Sequence, residues 1–470
     1  LLRSKGPSLV GFCVAKSHRS VWAGRSPVPP TPPRPSPPPL LPASPGKLDC
    51  FLVEATNRTS CVQRKPDALN LSNLHMESKL RSDSEHYYRT HFPATSLFKM
   101  VSREWEGEFA PVNREWGVET IDGKFKRWKS CSSADELRRL VSASGVGKLN
   151  IGAVYTTPAR SRWELDLGCA QVMNDVGAEL RFDIDLDDYP HLGVTKDDLD
   201  GCDRVWPVVA LGLEIVKQAL ESHFGFKHVL AVYSGRRGGH LWVFDRRAFG
   251  LSNEARAAIV AWLQPTQCRA GLNWTYLCSS PCFKELSRDL VLQFFRTTGI
   301  DELVDGGLGL LDAAPQRRAF VEQIAIKNLD KIKEAVLSAE TPQQALELIE
   351  ACTRKVDWMK TRFESAVWSL VGPRLDSAVT KHRAHTLKSI FSLHPGTGRI
   401  SVPILNDRLD LFKPKLRAIT VAALCDPATA AASKQVLEAT IASFKIYVDA
   451  LARGGGGGGA TPRPTYSPLK

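Results

Sequence analysis

The alternation of hydrophobic and polar residues predicts four strands in the middle of the chain. Period-two alternation with β-branched residues is typical of strands, and a glycine-rich turn at 235–239 separates the last two. Between the two pairs of strands, the apolar residues of 208–222 recur with helical spacing and predict a helix. The predicted strands are 147–155, 179–186, 228–233 and 241–245.

The second half of the chain has a different pattern. Helical spacing of apolar residues dominates 252–370, short strands and loops follow in 371–410, and a last helix is predicted at 430–452. There is no internal repeat. We therefore predict an α/β (α+β) fold in which a mixed β-sheet is flanked by helices and a helical subdomain is inserted.

These patterns divide the chain into five regions. They are a proline-rich leader (1–75), the first part of an α/β module (76–250), a helical subdomain (251–370), the completing part of that module (371–452) and a flexible Gly/Pro tail (453–470).

The leader differs in composition from everything after it. It holds 13 of the 30 prolines, and these favour extended polyproline conformations over helix or sheet. Three interpretations stay open: leader sequence that is not translated, with Met76 as the start; a disordered tail that docks a proline-reading domain; or a targeting peptide, since no acidic residue precedes Asp49.

Charge and cysteine content narrow the function classes. The net charge of the 470 residues is +12; since 1–75 carry +7, the remainder carries +5, which permits a nucleic-acid partner without requiring one. No run of about 18–20 apolar residues is present, so we expect no membrane-spanning helix. The eleven cysteines are scattered, which favours a reducing compartment.

The sharpest chemical signal is the pair Asp183 and Asp185 in a predicted strand. Residues two apart in a strand face the same side, so the two carboxylates lie together and repel unless a cation separates them. Hard oxygen ligands suit Mg²⁺ or Mn²⁺. The alternative is a solvated strand end that leads into the acidic turn Asp187–Asp188.

A second signal is the turn Tyr233-Ser-Gly-Arg-Arg-Gly-Gly-His240. Its glycines let the backbone approach an anion, while Arg236, Arg237, Ser234 and His240 can donate hydrogen bonds to phosphate oxygens. This favours a triphosphate site over the alternative, an ordinary polar hairpin turn.

A third region combines Asp376 with a cluster of cationic groups. It contains His385-Thr-Leu-Lys388 and His394-Pro-Gly-Thr-Gly-Arg399, and it suits a phosphate-rich ligand less specifically than the turn does. Carboxylates for metals beside cations for phosphates are the pairing that two-metal phosphoryl transfer needs. There is no Gly-x-x-x-x-Gly-Lys-Ser/Thr loop, which argues against a P-loop enzyme.

The order of these motifs resembles the catalytic (small) subunit of the eukaryotic and archaeal DNA primases. The resemblance covers about 76–452, although 250–365 is divergent. It rests on the segments Phe182-Asp-Ile-Asp185, Tyr233-Ser-Gly-Arg-Arg-Gly-Gly-His240, Asn113-Arg-Glu115, Ile151-Gly-Ala-Val-Tyr155, Phe224-Gly-Phe-Lys-His228, Pro373-Arg-Leu-Asp376 and Phe391-Ser-Leu-His-Pro-Gly-Thr-Gly-Arg-Ile-Ser-Val-Pro403.

The resemblance implies roles for individual residues. Asp183, Asp185 and Asp376 match the family's catalytic, metal-binding carboxylates, with two Mg²⁺ or Mn²⁺ ions as cofactors. The positions that match nucleotide contacts are Glu115, Arg127, Ser234, Arg236, Arg237, His240, His385, Thr386, Leu387, Lys388 and His394.

The chain also departs from the family. The eukaryotic zinc knuckle is reduced to Cys202, with Val205 where another cysteine would fall, so we expect no zinc. Cys278 and Cys282 have no partner pair and are interpreted as structural thiols. Asn150 stands where the family often has Asp.

The resemblance implies synthesis of short RNA primers from ribonucleoside triphosphates on single-stranded DNA during replication. It also implies a primase large subunit and the catalytic and accessory subunits of DNA polymerase alpha as partners, in the nucleus, or in an organelle if 1–75 is a transit peptide. Two alternatives stay open: a primase-polymerase that uses deoxynucleotides in repair or damage tolerance, and a non-catalytic nucleotide-binding scaffold.

Overall fold

The computed structural model describes residues 68–103, 109–162, 173–195, 198–264, 282–300, 308–324, 330–405 and 408–454. The predictions for residues 1–67, Cys278 and the tail after residue 454 lie outside these ranges. All described residues fall within one unit, Pro66–Lys470. No helix in the described ranges is long and apolar enough to cross a membrane.

The strands predicted from alternation are present, with boundaries that differ by a few residues. In the described ranges the strands are β1 Arg114–Thr120, β2 Phe125–Lys129, β3 Val146–Tyr155, β4 Asp175–Gly177, β5 Leu180–Asp185, β6 Val229–Tyr233, β7 Gly238–Val243, β8 Leu387–Lys388 and β9 Val402–Ile404.

Helices account for most of the remaining described residues. They are α1 Ala68–Thr90, α2 Ala94–Ser102, α3 Ala134–Val141, α4 Leu199–Ser222, α5 Arg246–Phe249, α6 Asn253–Leu263, α7 Arg288–Phe294, α8 Ala314–Ile324, α9 Asp330–Leu337, α10 Pro342–Thr353, α11 Asp357–Val371, α12 Ser377–Lys381, α13 Pro414–Arg417, α14 Val421–Cys425 and α15 Ala430–Gly454. The helical nature expected of 252–370 and 430–452 is confirmed for the described residues.

The strands form two sheets. The first has the order β2-β1-β3-β4, with β8 also pairing with β3; the second has the order β5-β7-β6-β9. The α+β class is confirmed, but two sheets with antiparallel pairing replace the single mixed sheet that we expected. Alternation within a strand reports which face is buried and does not report which strand lies beside it.

The helix predicted at 208–222 begins earlier, at Leu199. Its amino terminus is capped by Asp198, whose side chain accepts a hydrogen bond of 2.7 Å from the Gly201 amide. Pro207 lies inside the helix, and buried residues such as Val209 and Ile215 pack it against the second sheet. This helix supports the strands that carry the polar residues described below.

Glycine permits the close pairing of β5 with β7. Gly238 lies opposite Asp185, and a Cβ atom at Gly238 would come within 2.4 Å of the backbone oxygen of Ile184. That clash involves backbone and could not be relieved by a rotamer change. The same pairing places His240 opposite Asp183.

Candidate active site

Three aspartates from distant segments meet beside the end of β5. Phe182 and Ile184 are fully buried, whereas Asp183 and Asp185 are partly exposed on the other face of the strand. The backbone amide of Asp376 donates a hydrogen bond of 3.0 Å to the carbonyl oxygen of Asp183. This bond fixes the third carboxylate beside the pair.

The segment that leads to Asp376 is anchored by Tyr189. The Tyr189 hydroxyl donates to the carbonyl of Gly372 and accepts from the amide of Arg374, both at 2.9 Å. The Arg374 guanidinium lies 4.8 Å from the Tyr189 ring centroid. Asp376 then caps α12 by accepting a hydrogen bond of 2.9 Å from the Ala378 amide.

The three carboxylates lie close enough together to repel one another. Burial, followed by the charges of Asp185 and Asp376, raises the pKa of Asp183 to about 7. His240 Nε2 lies 3.6 Å from Asp183, but burial and the nearby Lys388 lower the pKa of His240 to about 3, so this imidazole is neutral at pH 7. A bound cation would relieve the repulsion.

The donor set suits a hard divalent cation. Asp183, Asp185 and Asp376 offer carboxylate oxygens, which Mg²⁺ and Mn²⁺ prefer. As the side chains stand, no group of three His, Cys, Asp or Glu residues in the described ranges is arranged to hold a metal ion. Binding would therefore require the carboxylates to rotate toward a shared position.

The opposite side of the site is the turn between β6 and β7, where Gly235 has a φ of +96°. Its three consecutive carbonyl groups accept hydrogen bonds from two side chains of distant segments and from one side chain at the end of β6. Lys388 Nζ donates to Ser234 O; Thr397 Oγ1 donates to Gly235 O at 2.9 Å; the Tyr233 hydroxyl donates to Arg236 O at 3.0 Å. The turn is therefore fixed independently of any ligand.

A buried ion pair supports this turn from behind. Arg399 donates to both carboxylate oxygens of Asp203 at 2.8 Å, and it also donates to the Tyr233 hydroxyl at 3.0 Å. The tyrosine therefore connects the Arg399–Asp203 pair to the carbonyl of Arg236.

Arg237 links the cationic side of the site to the acidic side. Its guanidinium binds both carboxylate oxygens of Asp187, with a distance of 2.6 Å to Oδ2, and lies 3.4 Å from Asp185 Oδ1. This geometry places one arginine between the turn and the aspartates.

The other basic groups of the site are buried and crowded by like charges. Burial, with Lys148 nearby, lowers the pKa of Lys388 well below its ordinary value, and burial with Lys388 and Arg236 lowers that of His394 to about 2. Among the described residues, Nδ1 of His240 and Nδ1 of His394 have no hydrogen-bond partner. An anionic ligand would satisfy these groups.

These side chains surround one cavity of ≈ 270 Å³. It brings together all but two of the residues predicted from the sequence. Its lining is Lys148, Asn150, Asp183, Asp185, Ser234, Arg236, Arg237, His240, Asp376, Val379, His385, Thr386, Leu387, Lys388 and His394. A larger cavity of ≈ 580 Å³, between α4 and α7, lacks such a convergence of aspartates and cations.

Comparison with known proteins identifies the relatives of this chain. Residues 182–405 match the family model described as DNA primase small subunit. The chain is 27% identical over 346 residues to the DNA primase small subunit of Saccharomyces cerevisiae, a match covering 71% of this chain and 84% of the yeast protein. It is 28% identical over 342 residues to that of Schizosaccharomyces pombe (70% and 74%), and 31% identical over 160 residues to the small subunit PriS of Pyrobaculum calidifontis (32% and 46%).

The family that this chain resembles is therefore that of the DNA primase small subunits. The matched segment begins one residue before Asp183 and extends past Arg399, so it contains the three aspartates, the turn and the buried ion pair.

Glu115 and Arg127, the two remaining residues implied by the primase resemblance, lie outside the cavity lining. Glu115 is fully buried, and Arg127 donates to its carboxylate at 2.7 and 2.9 Å. Arg127 also donates at 2.8 Å to the carbonyl of Ala384, the residue before His385. In this structure the pair holds the loop that forms one wall of the cavity.

Three cavity residues were not predicted as nucleotide contacts: Lys148, Asn150 and Val379. Lys148 and Asn150 lie two apart in β3, and Lys148 pairs with Glu119 at 2.7 Å. The period-two spacing of these polar residues within a hydrophobic strand was the available signal. It indicates a polar face, although only the pairing of β3 with β8 brings that face to the cavity.

Cys202, the cysteine that the resemblance matches to the zinc knuckle of the eukaryotic primases, is buried within α4. Cys282, the described member of the Cys278/Cys282 pair, is buried. The expectation that the chain binds no zinc stays a prediction.

Proposed function

We propose that this chain is the catalytic subunit of a DNA primase, a nucleotidyltransferase that joins ribonucleoside triphosphates into short RNA primers on single-stranded DNA. The observation that carries the proposal is the cavity in which Asp183, Asp185 and Asp376 face Arg236, Arg237 and Lys388. Metal-binding carboxylates opposite phosphate-binding cations are what pyrophosphate release from a nucleotide requires.

The aspartates would hold two Mg²⁺ or Mn²⁺ ions, which lower the pKa of an attacking 3′-hydroxyl and neutralise charge on the leaving pyrophosphate. The side chains opposite them bind the triphosphate. Arg236 and Arg237 donate paired hydrogen bonds to phosphate oxygens. Because the turn carrying them is already held in place, little reorganisation opposes binding.

Lys388, His240 and His394 complete the phosphate site. Burial lowers the pKa of all three groups, and pKa values of about 3 for His240 and about 2 for His394 leave the two imidazoles neutral before a nucleotide arrives. The negative charge of a triphosphate raises those pKa values, so protons enter with the ligand. The groups then stabilise the additional charge that develops on the leaving phosphates.

The primase assignment is tested by primer synthesis with the full chain. The reaction contains a poly-dT template, labelled ATP and Mg²⁺ or Mn²⁺. An Asp183→Ala/Asp185→Ala variant removes the proposed metal donors, and Asp410→Asn, an exposed carboxylate in a surface ion pair, is the matched control. We expect short RNA products from the parent and the control and none from the double variant.

Two outcomes of this assay would replace the assignment. Initiation that prefers deoxynucleotides over ribonucleotides would favour a primase-polymerase of repair or damage tolerance. Absence of product from the parent, even with a large subunit added, would favour a non-catalytic nucleotide-binding scaffold.

We further propose that the chain works with a primase large subunit, with the catalytic and accessory subunits of DNA polymerase alpha, and in the nucleus. Support comes from the resemblance and from relatives that are named small subunits. Affinity purification of the full chain tests the partners, and imaging of a fluorescent fusion tests the location. Co-purification with none of these subunits, or accumulation in an organelle, would refute the respective proposal.

A further inference from the structure

An exposed aromatic ring lies beside the cavity on β2. The side chain of Phe125 is 46% exposed, although the ring is placed against the sheet. A Cβ atom at Gly117 would lie 2.9 and 3.0 Å from two atoms of this ring, and 3.6 Å from the Cβ of Asn150. Gly117 therefore leaves the space that the ring occupies, and the ring is a near neighbour of a residue that lines the cavity.

The strand register places Phe125 on the same face of the sheet as the cavity. Lys388 is paired with Asn150, and Asn150 with Gly117; in the adjacent row, Lys148 is paired with Glu119, and Glu119 with Phe125. Directly paired residues share a face of the sheet. The polar floor of the cavity therefore continues across β1 to the aromatic ring.

The separation along this face suits a nucleotide. From β8, which carries Lys388, to β2 there are three inter-strand steps, or about 14 Å at the usual spacing. Phosphates held at Lys388 and the turn would leave the rest of an extended nucleotide directed along the floor. The row that carries Phe125 also holds the ion pair between Lys148 and Glu119 (2.7 Å), so the ring adjoins a charged floor and not an apolar protein surface.

We propose that Phe125 is a stacking platform for a nucleobase at the entrance of the cavity. This inference rests on the proposed nucleotide-binding function and adds a base subsite to it. A flat aromatic ring with one exposed face stacks on any base, which suits an enzyme that must accept every template sequence. Gly117 is a positioning residue, because its missing side chain lets the ring lie on the sheet.

The stacked base has two sources, which share the same chemistry. It belongs either to the nucleoside triphosphate whose phosphates occupy the cavity, or to the nucleotide at the 3′ end of the growing primer. Ligands that contain or lack a base distinguish the platform from the phosphate site, and a pre-formed primer distinguishes the two sources.

The experiment measures binding by the full chain with calorimetry in the presence of Mg²⁺. The ligands are ATP and inorganic tripolyphosphate, and a third arm measures KM for a pre-formed RNA primer on a DNA template. The variants are Phe125→Ala and Phe125→Tyr. The matched control is Trp358→Ala, which removes an aromatic ring that is 52% exposed on α11.

Phe125→Ala should weaken ATP binding about tenfold, as expected for the loss of one stacked base, and should change tripolyphosphate binding less than twofold. Phe125→Tyr should restore binding, and Trp358→Ala should have no effect. If ATP binding is retained but KM for the primer rises about tenfold, the platform serves the primer end.

An equal loss of ATP and tripolyphosphate binding would overturn the proposal, because it would show a structural role. Unchanged values in all three arms would overturn it as well, as would a parent chain that binds no ATP. A parent that binds ATP but makes no primer would refute the primase assignment alone, and the binding arms would still decide the platform.

Discussion

The two sides of the cavity carry opposite charges. On each side, burial and neighbouring groups of like charge shift the pKa values of the ionisable side chains. On the acidic side, burial and neighbouring carboxylates raise the pKa of Asp183 to about 7. On the basic side, burial and neighbouring cations lower the pKa of Lys388 and of His394. The charge on each side is unfavourable without a ligand. Metal ions would neutralise the carboxylates, and the triphosphate of a metal-bound nucleotide would neutralise the basic groups.

The two sides of the cavity differ in the hydrogen bonds that fix their residues in place. The turn has its carbonyls fixed by Lys388, Thr397 and Tyr233, whereas the aspartates are held by the backbone bond between Asp376 and Asp183, the cap that Asp376 forms on α12 and the Tyr189 anchor. We infer that the phosphate side is preorganised and that the acidic side completes its geometry when the cations bind.

The largest expected effect is on the acidic side. Asp183→Asn should reduce primer synthesis about a thousandfold or more, because stabilisation by a bound metal is worth several kcal/mol. The same change should stabilise the metal-free protein at pH 8. The pKa of Asp183 in the folded state, about 7, lies above the ordinary value of 3.8, so the stability of the parent falls as pH rises from about 4 through 7.

Thermal unfolding followed by calorimetry, with a chelator present, tests this predicted direction of the pH dependence of stability. The gain in Tm of Asp183→Asn over the parent should be larger at pH 8 than at pH 4. Gains of equal size at both pH values would contradict the proposed repulsion among the carboxylates.

A smaller effect is expected on the basic side. Lys388→Met should raise the dissociation constant for ATP roughly ten- to a hundredfold, because it removes a charged phosphate contact and a support of the turn. In the parent, ATP binding should take up protons and weaken as pH rises, because the lowered pKa of Lys388 rises beside a phosphate.

Titration in buffers of different ionisation enthalpy measures the proton uptake. Lys415→Met, which removes an exposed lysine paired with Asp200, is the matched control and should behave as the parent. Binding without proton uptake would show that the basic groups are already charged.

The next-largest effect is expected when the ion pair between Arg399 and Asp203, which supports the turn, is altered. Arg399→Lys keeps the charge but loses the paired hydrogen bonds to Asp203 and the bond to Tyr233. We expect KM for ATP to rise about tenfold and the free energy of unfolding to fall by about 1–2 kcal/mol. Asp203→Asn should act similarly, and the double variant should be non-additive; strict additivity would indicate that the pair does not act through one turn.

The smallest effect is expected for a substitution in the helical region, away from both sides of the cavity. Arg354→Ala removes an exposed ion pair with Glu350 on α10. Primer synthesis should stay within twofold of the parent, and the free energy of unfolding within about 0.5 kcal/mol. A large loss of activity measured under the same conditions would show that this region contributes directly to catalysis.

Local sequence was sufficient for two features whose geometry is local. Period-two spacing is enough to place Asp183 and Asp185 on one face of a strand, and the glycines at 235–239 are enough to predict a turn between two strands. By contrast, the start of α4 was predicted nine residues late, at 208 instead of Leu199.

The contribution of distant residues was visible only in the tertiary structure. Arg399 and Asp203 carry no local pattern that pairs them, and Lys148 gives no indication of the cavity that it lines. Glu115 and Arg127 were implied as nucleotide contacts, whereas the structure places them behind the His385 loop.

By itself, the sequence determined the α+β class and, through motif order, the similarity to the DNA primase small subunits. Only the tertiary structure decided that there are two antiparallel sheets, that Asp376 lies beside Asp183, and that the face carrying Phe125 continues the floor of the cavity. The physical reason is that side-chain periodicity is a property of neighbouring residues, whereas strand pairing and the hydrogen bonds between remote segments depend on how the whole chain packs.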